Sequence, residues 1–336
     1  KPLQADPAGA RRNWAHPIQS ANRIGDQPVI FAGEDSAIDL PLRSGFRSLS
    51  DHRGISAVPP GLAAELEAAQ QSELMKAADA FDIVHLHGSA HASALCETWA
   101  APVFRTIHWR ADEEDHCQHL RQFPNELIVA VSGDQAECVP ASSRAGVVHH
   151  GIPADRLTEG RGAGGYLAFI GRMTDQKRPD RAIELAERSG LPLQLAGPID
   201  PGNPDYFDRI VVPALSPSIR HVGSIDDRAK QDFLGEASAL LFPIDWPEPF
   251  GLVMIEAMAC GTPVIAWARG SVPEIVEDGV TGIVVQSLNE ALDRLPEALA
   301  LDRGHIRRRF EARFTAARMA VDMCALYDSV LNRSKT

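Results

Sequence analysis

Phe242-Pro-Ile-Asp-Trp-Pro-Glu248-Pro-Phe250-Gly251-Leu252-Val-Met-Ile-Glu256-Ala-Met-Ala-Cys260-Gly-Thr262-Pro263-Val-Ile-Ala266 joins two apolar runs through a polar loop and a helical pattern. The first run, 239–243, reads as a buried strand. The loop after it carries Glu248, and a helix opens at Leu252 with Glu256 inside it. Thr262-Pro263 stops that helix, and a second apolar strand follows over 264–268. A helix that starts just past a strand's carboxyl end presents unpaired backbone N–H groups and the positive end of its dipole, so it can hold an anion. Glu248 and Glu256 add carboxylate acceptors suited to sugar and ribose hydroxyls. Taken alone, glutamates near a helix start are ordinary, because they complement the dipole.

The same alternation of short apolar runs and amphipathic helices fills the chain, which is the pattern of a parallel α/β architecture. Strands are expected at 28–32, 83–87, 103–108, 127–131 and 146–149, with helices over 62–78, 91–100 and 133–138. Further on, strands are expected at 166–170, 193–196, 220–222, 239–243, 264–268 and 282–285. Helices over 179–189, 204–214, 227–237, 252–260 and 288–300 separate them. The polar stretch 152–165, with Gly160, Gly162, Gly164 and Gly165, reads as a linker between two halves. Gly160-Arg-Gly-Ala-Gly-Gly165 has dinucleotide-fingerprint spacing, but it precedes a strand instead of following one, so it offers no amide pocket. The tail 312–331 reads as one helix with Met319, Met323, Leu326, Tyr327 and Val330 on a stripe. From the stripe alone, packing on either half is open.

At 336 residues, with 44% hydrophobic and 23% charged residues, the chain has the size and balance of a two-domain globular protein. A net charge of −12 argues against nucleic acid as a partner, since phosphate backbones need a basic footprint. No apolar run approaches the ~20 residues of a membrane span, and the first residues lack the apolar core of a signal peptide. Cys96, Cys117, Cys138, Cys260 and Cys324 are odd in number and unpaired in spacing, so free thiols in a reducing cytoplasm are expected. Asp112-Glu-Glu-Asp-His-Cys-Gln-His119 contains ligand-type side chains, but it reads as a solvated loop.

The paired glutamates, the Phe-Gly-Leu turn, the following Gly-Thr-Pro-Val and the run Gly270-Ser-Val-Pro-Glu-Ile-Val-Glu-Asp-Gly-Val-Thr-Gly282 resemble the nucleotide-sugar site of retaining family-4-type glycosyltransferases (glycosyl transferases group 1). That resemblance implies the GT-B fold, in which two Rossmann-like α/β domains face a cleft and the last helix crosses back to the first. The implied division is an acceptor-side domain over 1–155 with 312–336, and a donor domain over 156–311. Strand 166–170 runs into Gly171-Arg172-Met-Thr-Asp-Gln-Lys177-Arg178-Pro179, which resembles the family's diphosphate-holding loop. Arg172 and Lys177 could converge on a diphosphate, one by its fork and one as a point charge. Arg178 departs from the family, which usually has glycine there.

By resemblance, Arg220-His-Val-Gly223-Ser224 lies against the nucleotide base, before Asp226-Asp227 caps a helix. Asp82-Ile-Val-His-Leu-His87-Gly88 matches the family's Asp-x-x-His-x-His run, which makes His87 a catalytic candidate facing the donor sugar. His85 is expected on the sheet's other face, and His108 is a weaker acceptor-side candidate. The family's opening strand and glycine pair have no counterpart before Pro28, so the first segment is either incomplete or rebuilt.

Donor-binding candidates are therefore Gly171, Arg172, Lys177, Gly223, Ser224, Glu248, Phe250, Gly251, Leu252 and Glu256, with His87, Glu248, Arg172 and Lys177 catalytic. The expected reaction moves a sugar from a nucleoside-diphosphate sugar to a hydroxyl-bearing acceptor with retention. Arg172, Lys177 and the helix-end amides suffice for the leaving charge. No Asp-x-Asp occurs at a strand end, so no metal or other cofactor is expected. The alternatives are a non-catalytic sugar-nucleotide sensor, or a related GT-B enzyme such as a phosphorylase or epimerase. A peripheral membrane contact stays open, although the N-terminal half shows no basic amphipathic cluster.

Overall fold

The computed structural model describes residues 28–31, 41–43, 62–87 and 99–333. By their contacts the described residues divide into two units. One holds the residues up to Val131, Ala136–Val148 and the chain from Ala316 on; the other holds Ser132–Gln135 and His149–Thr315.

In the first unit β1 (Ile30–Phe31) pairs parallel with β2 (Leu42–Arg43). Its main sheet is parallel and runs in chain order through β3 (Val84–Leu86), β4 (Val103–Thr106), β5 (Leu127–Ala130) and β6 (Arg144–Val147). Three apolar clusters pack on it, one of them Leu74 with Val84 and Val103. Phe104, Val129 and Val148 meet Met319, Met323, Leu326, Tyr327 and Val330 of the helix Ala316–Arg333. The stripe on the last helix therefore belongs to the first unit, as the GT-B resemblance implied. Ile107, Ile128, Leu120 and Val139 form the third cluster.

The second unit is a six-stranded parallel sheet built from β7 (Leu167–Ile170), β8 (Leu193–Ala196), β9 (Ile219–His221), β10 (Ala239–Phe242), β11 (Val264–Trp267) and β12 (Gly282–Val285). Its strand order is β12-β11-β10-β7-β8-β9. Every residue of β10 and β11 is buried, which is why these strands read as continuous apolar runs. The chain enters at β7, builds outward through β8 and β9, then returns to lay β10 on the other side of β7. Between β7 and β10 the successive connections diverge, and a crevice forms there at the strands' carboxyl ends.

Several expectations need correction. Residues 152–165 are not a free linker, because they pack within the second unit. Gly160 N donates to Cys260 O at 2.9 Å and Gly164 N to Glu236 O at 2.9 Å. A Cβ on Gly160 would lie 2.2 Å from the Cα of Gly235, so this tract is glycine-rich for close packing. The Arg303 guanidinium secures it by donating to Gly160 O, Ala237 O, Gly235 O, Cys260 O and Thr262 Oγ1.

The tail is two helices, Arg303–Arg313 and Ala316–Arg333, separated where Ile152 N donates to Phe314 O at 3.0 Å. The first of these was missed because its face buries only Ile306 and Phe310 among five arginines. The stretch read as a solvated loop from 112 to 119 forms most of the helix Glu114–Gln122, with Leu120 as its buried anchor. Among the described residues no group of three or more His, Cys, Asp or Glu could hold a metal ion. The helix expected over 204–214 breaks into Pro204–Tyr206, a π turn at Phe207–Val211 and a 3-10 turn at Val212–Ala214, where Pro213 lacks the donor a regular helix needs. The helix expected over 91–100 falls largely outside the described residues, and Trp99 and Ala100 are not helical. No described helix is long and apolar enough to cross a membrane.

Candidate active site

The loops after β7 and β10 flank the crevice of the second unit. After β7, Met173 is fully buried and its N–H bonds to Pro198 O at 3.0 Å, which anchors the loop. Thr174 Oγ1 accepts from Lys177 N at 3.3 Å, and this turns Lys177 toward β10. The Lys177 ammonium pairs with the Glu248 carboxylate. It also stands 4.6 Å from the Trp246 ring centroid and 5.8 Å from that of Phe242. Trp246 Nε1 donates to the same carboxylate at 2.9 Å. Arg172 is half-buried in the same loop; its carbonyl accepts from Thr174 N at 2.9 Å, while its guanidinium has no hydrogen bond or ion pair with the described residues. One cation is thus committed to a carboxylate, and the other is uncommitted.

Gly251 at φ 80° makes the turn into the helix Leu252–Ala259, and no side chain caps that end. A Cβ on Gly251 would meet the Met254 side chain at 2.6 Å, so glycine is required both by conformation and by space. The amides of Leu252 and Val253 are left as donors at the dipole's positive end. Phe250 is buried, and its carbonyl accepts from Ser271 Oγ at 2.9 Å, while Ser271 N donates to Glu248 O at 3.0 Å. These bonds hold the backbone of the Glu248 loop from beneath. The run after Gly270 therefore serves the site by bracing this loop.

Glu256 is buried within the helix, and Lys230 Nζ reaches it at 2.8 Å. Lys230 lies on the helix Asp227–Gly235, whose cap, Asp226, accepts from Ala229 N at 2.8 Å. Lys230 was not read as a site residue. It meets Glu256 across two helices, and no local spacing signals such a pair. Gly223, at the end of β9, offers its carbonyl to Gly197 N at 2.9 Å, and Ser224 beside it is exposed. Gly171, Arg172, Lys177, Gly223, Ser224, Glu248, Phe250, Gly251, Leu252 and Glu256 all lie in the second unit, at or just beyond strand ends of one sheet.

Arg178 explains its own departure from the family pattern. Its φ of 56° makes it the one non-glycine residue with positive φ among the described residues. That conformation costs a residue with a Cβ about 1–2 kcal/mol. Glycine at this position would adopt it freely.

In the first unit His87 and His108 come together, with His87 Nδ1 at 3.4 Å from His108 Nε2. His85 does not point to the other face. Its ring stacks on that of His87 with centroids 4.4 Å apart, as residues two apart on a strand must share a face. His85 is held by Thr106 Oγ1 at 2.8 Å and by the Tyr327 hydroxyl. Burial, then the charges of His108 and Arg105, push the His85 pKa down to about 3, and burial alone pushes His108 down to about 4. Both are neutral in the fold and near 6.5 when unfolded, so the unfolded chain binds more protons below that pH. The first unit should therefore keep its full stability above pH 6.5 and lose up to ~1.4 kcal/mol per pH unit for each histidine as pH falls toward 4. Thermal unfolding between pH 7.5 and 4.5 measures this, and His85→Gln should flatten the slope. An unchanged slope would mean His85 already titrates normally in the fold.

Residues 161–313 match the family described as glycosyl transferases group 1. The D-inositol 3-phosphate glycosyltransferase of Mycobacterium tuberculosis (strain H37Rv) is 29% identical over 341 residues, covering 88% of this chain and 70% of that protein. Among solved structures, Anabaena HepE in complex with UDP and glucose superposes with a TM-score of 0.71 at 17% identity, over 98% of each chain. Sucrose-phosphate synthase from Thermosynechococcus elongatus gives 0.75 at 20% identity, over 97% of this chain and 94% of that one.

Proposed function

We propose that this chain, which has the GT-B fold, is a group 1 glycosyl transferase that moves a hexose from a nucleoside-diphosphate sugar to a hydroxyl acceptor, with retention and without a metal. The observation that carries the proposal is the Lys177–Glu248 pair, which joins the loop that also carries Arg172 to the loop that leads into the uncapped helix end at Gly251. When the bond to the anomeric carbon breaks, charge builds on the leaving diphosphate. Two cations and two amides aimed at that charge stabilise the transition state more than the bound donor.

Glu248 shares its carboxylate with Lys177 and Trp246, which makes it a poor covalent nucleophile. A front-face route, in which the leaving phosphate takes the acceptor's proton, fits that arrangement. His87 and His108 are proposed for the acceptor step, and Gly223 with Ser224 for the nucleotide base. HepE was crystallised with UDP and glucose, so a uridine donor of glucose is the first to try; the relative's name puts an inositol phosphate among the first acceptors. A reducing cytoplasm is proposed as the setting, which the free thiols of Cys117 and Cys260 support.

The deciding experiment measures release of nucleoside diphosphate from a panel of donors, with and without acceptors and with and without a chelator. Acceptor-dependent release that survives chelation is expected. Tight binding without release under any acceptor would leave a sensor in place of an enzyme, and loss of release on chelation would refute metal independence.

The two glutamates should separate in the same assay. Glu256→Gln should weaken every donor carrying the same nucleotide alike, by roughly tenfold, through a lost charged acceptor for the ribose. Glu248→Gln should slow transfer while free diphosphate binds at least as well as before, because Lys177 is released from its partner. Equal losses of diphosphate affinity in both variants would contradict this division of labour.

A further inference from the structure

We propose that Arg178 is a positioning residue for the donor site, a strained side chain whose guanidinium ties the loop carrying Lys177 to the loop carrying Glu248. The inference rests on the reading of the site above and adds a residue that touches none of the expected ligand groups. Arg178 follows Lys177 directly and precedes the helix Pro179–Ser189, with φ 56° and ψ 51°. Its Nε donates to both oxygens of Asp180, at 2.9 and 3.1 Å, and its Nη2 donates to Asp180 Oδ2 at 2.7 Å. Tyr206 braces Asp180 from the other side, its hydroxyl donating to Oδ1 at 2.9 Å. With the fork anchored in this way, Nη1 reaches across to Asp245 Oδ2 at 2.9 Å.

Asp245 stands at the start of the β10 loop, three residues before Glu248. Its backbone N–H also bonds to Gln176 O at 3.0 Å, and Arg181 adds a second guanidinium to its carboxylate at 3.0 Å. The two loops that approach each other here are those that carry the diphosphate cation and the sugar-facing carboxylate. They lie on opposite sides of the crevice between β7 and β10.

Fold stability does not account for the arrangement. The charges involved keep between a quarter and two-fifths of their surface in water, and half-exposed ion pairs contribute little net stability. A left-handed conformation on a residue with a Cβ works against the fold, and such strain persists where the surroundings over-determine it, most often at functional sites. Glycine would remove the strain, but it would also remove the one side chain among the described residues that links Asp180 to Asp245. Arginine is required for the link, because lysine has a single charged centre and cannot hold Asp180 by a fork while reaching Asp245.

The test uses the full chain. Wild type is titrated calorimetrically with UDP, GDP and ADP, and the tightest binder serves as the probe for Arg178→Gly, Arg178→Lys, Lys177→Ala and the Arg178→Gly/Lys177→Ala double variant. Arg178→Gly is expected to weaken the probe by about tenfold, since small displacements of a positioned charge are costly, with a thermal midpoint equal to or above that of wild type. Arg178→Lys should recover part of the affinity. The double variant should bind no worse than Lys177→Ala, because Arg178 acts through Lys177. Wild-type affinity in Arg178→Gly overturns the inference while leaving the site reading intact. So does a full additive loss in the double variant, or an affinity loss that only tracks a lower midpoint. Failure of the wild type to bind any of the three diphosphates overturns both.

Discussion

Replacing Arg172 and Lys177 together with alanine is expected to lower nucleoside diphosphate affinity by roughly 10²–10⁴-fold, each charged contact being worth ~1.5–3 kcal/mol. The fold should be unaffected, since neither side chain belongs to a buried cluster. The singles should be unequal. Lys177 is already paired with Glu248 and stacked over Trp246 before a diphosphate arrives, so binding exchanges a carboxylate partner for a phosphate. The Arg172 guanidinium makes no hydrogen bond or ion pair with the described residues, and a diphosphate is net gain for it. Arg172→Ala is therefore expected to lose more affinity than Lys177→Ala, by several-fold. Calorimetry on the two singles and the double measures this directly. Near-normal affinity in the double would remove both residues from the site, and a larger loss in Lys177→Ala would mean that the Glu248 pair persists in the bound state.

The second unit was the more legible half, for a physical reason. Its inner strands β10 and β11 are buried on both faces, so they appear as unbroken apolar runs, and 193–196 and 282–285 coincide with β8 and β12. The helix Pro179–Ser189 was equally clear, because proline opens it, glycine follows it and an apolar stripe lies between. What escaped has physical causes too. The helix Arg303–Arg313 draws its hold from guanidinium-to-carbonyl bonds, such as Arg307 to Leu157 O and to Ala259 O, which leave no periodic trace. The Lys230–Glu256 pair depends on how two helices lie together. His85 was misplaced by a misapplied period, since strand neighbours two apart share a face. Arg178 read only as a departure from the family's glycine, and only its φ and its bonds show what the arginine does.

The first unit carries a buried ion pair whose disruption should have the largest effect on stability. Arg105 on β4 and Glu126 just before β5 are 1% and 2% exposed, with Nη2 and Oε1 2.8 Å apart. The Arg105 Nε donates to the same oxygen at 2.9 Å. Removing Arg105 takes the guanidinium away from a carboxylate that is 2% exposed, with the His119 ring 3.8 Å away as a further neighbour, at a cost of about 3–5 kcal/mol. Arg105→Met should therefore lower the first unit's unfolding midpoint by roughly 10 °C or more. Replacing both, as Arg105→Met with Glu126→Leu, should restore most of the loss or exceed wild type, since desolvating two charges costs nearly as much as their attraction returns. The consequence for function follows from where the residues lie. Every donor-binding candidate is in the second unit, and His87 and His108 are in the first. Arg105→Met, held above its own midpoint and below that of the second unit, should still bind nucleoside diphosphate while transfer fails. Scanning calorimetry with and without UDP resolves the two transitions, and UDP should raise only the upper one. A single transition that UDP shifts as a whole would mean that the two units unfold together and that the pair stabilises both.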